Sequence, residues 1–80
     1  MELIISSPMH KKKHDIAWVE LISSVGNMII QSNHAPMVMR LEKKSQVVYG
    51  LTSGKQESLT VEFGVAHITR ESVLLLLVDK

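Results

Sequence analysis

Short apolar runs recur along this chain, and each is halted within a few residues by a turn signal, a pattern that suits strands and leaves little room for helices. Leu3, Ile4 and Ile5 are stopped by Ser6-Ser7-Pro8. Ile16 to Ile22 follows, with Ile16, Trp18, Glu20 and Ile22 on one strand face and Ala17, Val19 and Leu21 on the other. Ser23-Ser24-Val25-Gly26-Asn27 reads as a turn before the short run Met28 to Gln31. Met37, Met39 and Leu41 alternate with Val38, Arg40 and Glu42, and Gln46 to Thr52 is rich in β-formers. Ser53-Gly54-Lys55-Gln56 has hairpin-turn chemistry. Leu59, Val61 and Phe63 alternate with Thr60 and Glu62. Val65 to Ile68 continues extended, Thr69 to Ser72 turns the chain, and Val73 to Val78 closes it. The expectation is an all-β fold, a flattened antiparallel β-sandwich or barrel of about eight to ten short strands in one domain spanning 1–80. Asp15 to Leu21 also fits one helical face; strand is the reading taken. Trp18, Leu21, Leu41, Val61, Phe63 and Leu75 are the expected buried residues.

A chain of 80 residues buries only about 60% of its unfolded surface, so its stability margin is thin. Disulfides, a metal or a partner usually compensate. The sequence has no cysteine, which removes disulfides and thiolate metal sites and suits a reducing compartment. It is 45% hydrophobic with one Trp, one Tyr and one Phe, so the core must be aliphatic and methionine-filled. A net charge of +1 argues against nucleic acid or an anionic membrane as the main target. Leu3 to Ile5 falls short of the roughly 7–15 apolar residues of a signal-peptide core. Val73 to Val78 falls short of the roughly 20 needed to span a bilayer. Any membrane association is therefore expected to run through a partner. Val73 to Val78 is apolar on both faces, so it is either buried on both sides or covers the core with one face and meets a partner with the other.

No catalytic, cofactor-binding or metal-binding residue is expected. His10 and His14 flank Lys11-Lys12-Lys13, and three ammonium groups between two ligands repel a divalent cation. That segment reads as a solvated basic loop, and His67 as a hydrogen-bonded or edge histidine. Ser53-Gly54 and Ser72 lack the flanks of a nucleophile elbow. Gly50, Gly54 and Gly64 lack phosphate-loop spacing, and nothing indicates that Glu20 and Glu62 meet as an acid/base pair.

The stretch Ser32 to Pro36 remains. Pro36 fixes its own φ and pushes Ala35 toward an extended conformation, while Asn33 tolerates a left-handed turn. Two readings of His34 are open on these residues alone. Its ring braces its own turn by bonding to backbone, or the loop is a surface that another protein grips.

With Gly26, His34-Ala35-Pro36 and the C-terminal third laid out, the sequence resembles the N-terminal β-domain of the ε subunit of F-type ATP synthases, the mitochondrial δ. The family pattern runs Gly-Glu-x-Gly-x-x-Pro-Gly-His-Ala-Pro-Leu-Leu, then Gly-Gly-x-x-x-Val, then Val-x-Val-Leu-x-Asp. Here Gly26 begins it, His34, Ala35 and Pro36 match, and Met37-Val38 stands for the apolar pair. Phe63-Gly64-Val65-Ala66-His67-Ile68 stands at the second element, and Val73, Leu75, Leu77 and Asp79 follow the third. Departures are Asn27 for the acid, Ile29 for the second glycine, Ser32-Asn33 for Pro-Gly, and Phe63 for the first glycine of the pair. The resemblance implies a non-catalytic rotor subunit of the central stalk, binding a γ-like subunit, linking the stalk to the rotor ring and meeting the α/β catalytic subunits only indirectly. It implies partner contacts from Asn27, Gln31, Asn33, His34, Ala35 and Pro36, at the end facing the ring. It implies a cytoplasmic place, peripheral on the inner face of the cell membrane, and, with the sequence stopping at Lys80, no inhibitory helical arm. The alternative is an unrelated small β-sandwich assembly or adaptor protein; a third class is a histidine-based metalloenzyme.

Overall fold

The computed structural model describes residues 1–24 and 26–78. Val25 of the expected turn, Asp79 of the closing pattern and Lys80 lie outside them. Among the described residues eight strands follow one another: β1 (Glu2–Ser6), β2 (Lys11–Ser23), β3 (Gly26–Ile30), β4 (Met37–Leu41), β5 (Ser45–Leu51), β6 (Gln56–Val61), β7 (Gly64–Ile68) and β8 (Ser72–Leu77). The all-β expectation holds, and Asp15 to Leu21 is strand.

The architecture turns on β2, which at 13 residues is long enough to serve two sheets. Its first part, Lys11–Asp15, pairs with β1, and the first sheet continues β1-β8-β7-β4. Its second part pairs with β3 on one side and β5 on the other, and β6 completes the second sheet. The join is a bulge between Ile16 and Trp18. A bulge adds one residue and sharpens the local twist, so it lets one strand change sheets. It also resets the parity of the strand. Ile16 therefore shares the inner face with Val19 and Leu21, all three buried, instead of the outer face with Trp18. Trp18 stays only half-buried, lying over Gly50 on the outside of the second sheet.

The core lies between the sheets and draws on every strand: Leu3, Val19, Leu21, Ile30, Leu41, Val47, Val61, Ile68 and Leu75 among others. Met28, Met37 and Met39 pack against its margin, where flexible thioethers fill irregular space. Four of the six residues expected to be buried are so; Trp18 and Phe63 are not. For Phe63 the reason is that β6 ends at Val61. The bend at Glu62-Phe63 carries the chain from the second sheet to the first, and Phe63 joins the outward face of the first.

Two further expectations are corrected. The sandwich is not wholly antiparallel, because β1 and β8 run parallel, Leu3 beside Val73 and Ile5 beside Leu75. The basic segment is not a loop. Ser7 to His10 forms the turn, and Lys11, Lys12 and Lys13 are strand residues paired with Ser6, Ile5 and Ile4. They are exposed because this part of β2 is a sheet edge, a position where lysines discourage unwanted strand pairing.

Candidate functional site

Two surfaces stand out: the loop end of the sandwich and the outer face of the first sheet. The loop 31–36 leaves β3 in the second sheet and enters β4 in the first, so it closes one end of the sandwich. Asn33 sits there at φ 68°, the left-handed conformation its side chain tolerates. Its N–H donates to the Arg70 carbonyl at 2.7 Å, which ties the loop to the β7–β8 turn. That turn is itself laced by Thr69 and Ser72, whose hydroxyls lie 2.8 Å apart. The His34 N–H donates to the Gln31 carbonyl at 3.2 Å, and the ring Nδ1 stands 2.8 Å from the Ala35 carbonyl. In the tautomer with the proton on Nδ1 the ring therefore braces its own turn, the first of the two geometries open for it. Gln31, Asn33, Ala35 and Pro36 are exposed and His34 is partly so. Asn33, Pro36, Thr69, Arg70 and Glu71 border a shallow hollow of about 420 Å³.

Asn27 does not join this group. It lies in β3 opposite Ile22, at the far end of the strand from the loop. Ile30 alone is three residues on, about 10 Å along a strand. Asn27 Nδ2 donates to Glu20 Oε2 at 3.1 Å on the outer face of the second sheet. The loop end gathers Gln31, Asn33, His34, Ala35 and Pro36, and adds Arg70 and Glu71, which sequence patterning did not select. No local signal marks those two; only the pairing of β7 with β4 brings their turn beside the loop.

The second surface follows from the registers. On the outer face of the first sheet, Val38, His67, Leu74, Ile4 and Lys13 form one cross-strand row, and Arg40, Val65, Leu76, Ser6 and Lys11 the next. The ladder extends one step further, where the Val78 N–H donates to the Phe63 carbonyl at 2.9 Å. Val38 is 66% exposed, Leu76 47%, Phe63 56% and Val78 64%. Large apolar side chains exposed side by side, rimmed by Arg40, Lys11 and Lys13, mark an interaction surface more than scattered surface residues do. The closing strand thus resolves in favour of one face on the core (Val73, Leu75) and one outward.

Among the described residues no three His, Cys, Asp or Glu side chains gather to hold a metal ion, and no helix is long and apolar enough to cross a membrane. The ionisation of Tyr49 is displaced. Burial first, then its hydroxyl's bond to Glu57 Oε1 at 3.1 Å and that carboxylate's charge, hold the phenol above its ordinary 10.0.

These features define a small β-sandwich with a braced loop end and an apolar sheet face. No protein-family model matches the chain, and no curated protein matches it. Solved structures do share its fold. A chain of the Euglena gracilis mitochondrial ATP synthase, in an assembly that includes the c-ring, is similar over 96% of this chain with a TM-score of 0.84 and 19% identity. A chain from the central stalk and c-ring of the Tetrahymena thermophila mitochondrial ATP synthase is similar over 99% with a TM-score of 0.81 and 12% identity. This chain spans 49% of the first and 63% of the second. At such identities the likeness is one of fold.

Proposed function

We propose that this protein is a non-catalytic central-stalk subunit of an F-type or F-like rotary ATPase, of the ε kind. The observation that carries the reading is the coincidence of two independent likenesses. The fold matches chains of two ATP synthase assemblies over nearly its whole length, and His34-Ala35-Pro36 stands in the matching pattern at a braced loop end.

In this reading the sandwich is a rigid coupling piece. The apolar outer face around Val65, Leu76 and Phe63 packs on a γ-like subunit, and burial of that face supplies the affinity. The loop end, with Gln31, Asn33, His34, Ala35 and Pro36, meets the rotor ring through polar contacts. Pro36 and the Asn33–Arg70 bond pre-order the loop, which lowers the entropic cost of docking. Asn27, on another face, is a contact only for a partner that also reaches the second sheet. The catalytic subunits are met indirectly, no nucleic acid or cofactor is involved, and the protein is peripheral on the inner face of the cell membrane through its partners.

Affinity purification of the tagged chain from its native host tests this. A γ-like stalk subunit and catalytic ATPase subunits should co-purify in fixed proportion. Recovery of a discrete complex without any rotary ATPase subunit would favour the assembly-adaptor reading.

A further inference from the structure

The turn bond from the Ser7 N–H to the His10 carbonyl and the bond from the Ile16 N–H to the Met1 carbonyl fix which β2 residues bond to β1. Antiparallel pairs alternate between bonded and non-bonded. With Leu3 opposite His14 and Ile5 opposite Lys12, it is Lys12 and His14 that spend their backbone groups on β1. The N–H and C=O of Lys11 and Lys13 therefore point away from β1. Among the described residues no strand pairs with that side of β2 until the Asp15 carbonyl accepts from the Thr52 N–H at 3.2 Å.

Beside this edge runs a groove of about 410 Å³ between the two sheets. Ile5, Leu59 and Leu77 contribute apolar side chains to it, while Lys12, His14 and Glu57 line it with charged and polar groups. The outward side chains of the edge, Lys11 and Lys13, are both cationic and exposed. Lysines on an edge reject neutral or basic strands, and the same charges select a complementary one.

We propose that the free edge of β2 at Lys11–Asp15 takes up an extended partner strand, in which acidic residues beside Lys11 and Lys13 alternate with apolar residues directed into the groove. Backbone bonds to the edge supply affinity, and alternate side chains supply selectivity. Charge complementarity with Lys11 and Lys13 favours acidic residues on the outer face of the partner strand, and Ile5, Leu59 and Leu77 favour apolar residues on its inner face. This edge borders the apolar outer face that Lys11 and Lys13 rim, and is separate from the loop end.

The test uses the chain itself, isotope-labelled, with a capped Glu-Val-Glu-Val-Glu-Val peptide and its Lys-Val counterpart as probes. The acidic peptide should slow amide exchange at Lys11 and Lys13 while leaving Lys12 and His14, already bonded, unchanged. Joint Lys11→Glu and Lys13→Glu substitution should weaken binding roughly tenfold. Lys13→Pro removes an N–H that β1 does not use, so it should abolish binding while the melting temperature stays near that of the parent chain. Equal binding of the basic peptide, binding without new protection at Lys11 and Lys13, or no binding of the acidic peptide would each overturn the proposal.

Discussion

The Asn33 N–H donates to the Arg70 carbonyl across 2.7 Å, and this bond joins two loops from opposite halves of the chain into one end of the sandwich. Asn33 reaches it only by taking φ 68°. A left-handed conformation costs an alanine about 1–2 kcal/mol, and asparagine or glycine far less. Asn33→Ala is therefore expected to lower unfolding free energy by about 1 kcal/mol, and Asn33→Gly to change it by less. Urea unfolding of the three proteins checks this. Equal stability of the alanine and glycine variants would mean that the backbone relaxes instead.

Gly50 is required by Trp18. A Cβ on residue 50 would stand 2.6 Å from Trp18 Cε2, so the half-buried indole or the backbone would have to shift. Overpacking of this kind costs about 1–3 kcal/mol, so Gly50→Ala should lower the melting temperature. The same substitution in a Trp18→Ala background should cost much less, since the clash is gone. A double-mutant cycle measures the coupling, and additive losses would refute the contact.

Much of the fold is legible in alternation and turn chemistry, since each of the eight strands overlaps a short apolar or alternating run read from the sequence. What escapes is instructive. A period of two assumes an unbroken strand, so the bulge after Ile16 inverts the faces assigned around it. Phe63 reads as a continuation of β6 because nothing local announces a change of sheet. Lys11 to Lys13 look like a solvated loop, although an edge strand is equally tolerant of lysine. The site was half legible for the same reason. His34 to Pro36 are contiguous, but Arg70 and Glu71 arrive through a non-local pairing, and Asn27 is carried away by β3.

Tyr49 gives the domain an alkaline limit. Its folded-state ionisation lies above the ordinary 10.0, so the neutral phenol is favoured more in the folded than in the unfolded chain. The stabilisation is complete below the unfolded value and is lost as pH rises through the folded one. Stability should fall above about pH 10 in the parent chain, and Tyr49→Phe should flatten that fall while removing a hydrogen bond worth about 0.5–1.5 kcal/mol at neutral pH. Glu57→Gln should move the phenol back toward its ordinary value, as read by tyrosinate absorbance.

The apolar face separates binding from folding. Leu75 is buried and Leu76, its neighbour, faces outward. Leu75→Ala should cost about 2–5 kcal/mol of stability through the cavity it leaves. Leu76→Glu should leave the melting temperature nearly unchanged but weaken association with a γ-like subunit by about 2 kcal/mol or more if it lies at the centre of the contact. Retained assembly with the Leu76→Glu chain would exclude this face as the stalk contact.

His34 decides between bracing and docking. Its Nδ1 already lies 2.8 Å from the Ala35 carbonyl, and an exposed bond of that kind is worth about 0.5–1.5 kcal/mol. If bracing is all it does, His34→Ala lowers the melting temperature and leaves coupled activity in the assembled complex unchanged at a permissive temperature. If the ring also meets a partner, ATP hydrolysis becomes less tightly coupled to ion pumping at temperatures where the domain is fully folded. Coupling should be lost in His34→Ala beyond what its stability loss explains. Pro36→Gly should lose more of both, because it frees the unfolded chain and releases the angle at which the loop enters β4. The measurement is the melting temperature of the isolated domain beside the ratio of ions moved to ATP hydrolysed in the reconstituted complex. A stability loss with an unchanged ratio would leave His34 as a turn brace and move the docking role to Pro36 and the backbone around it.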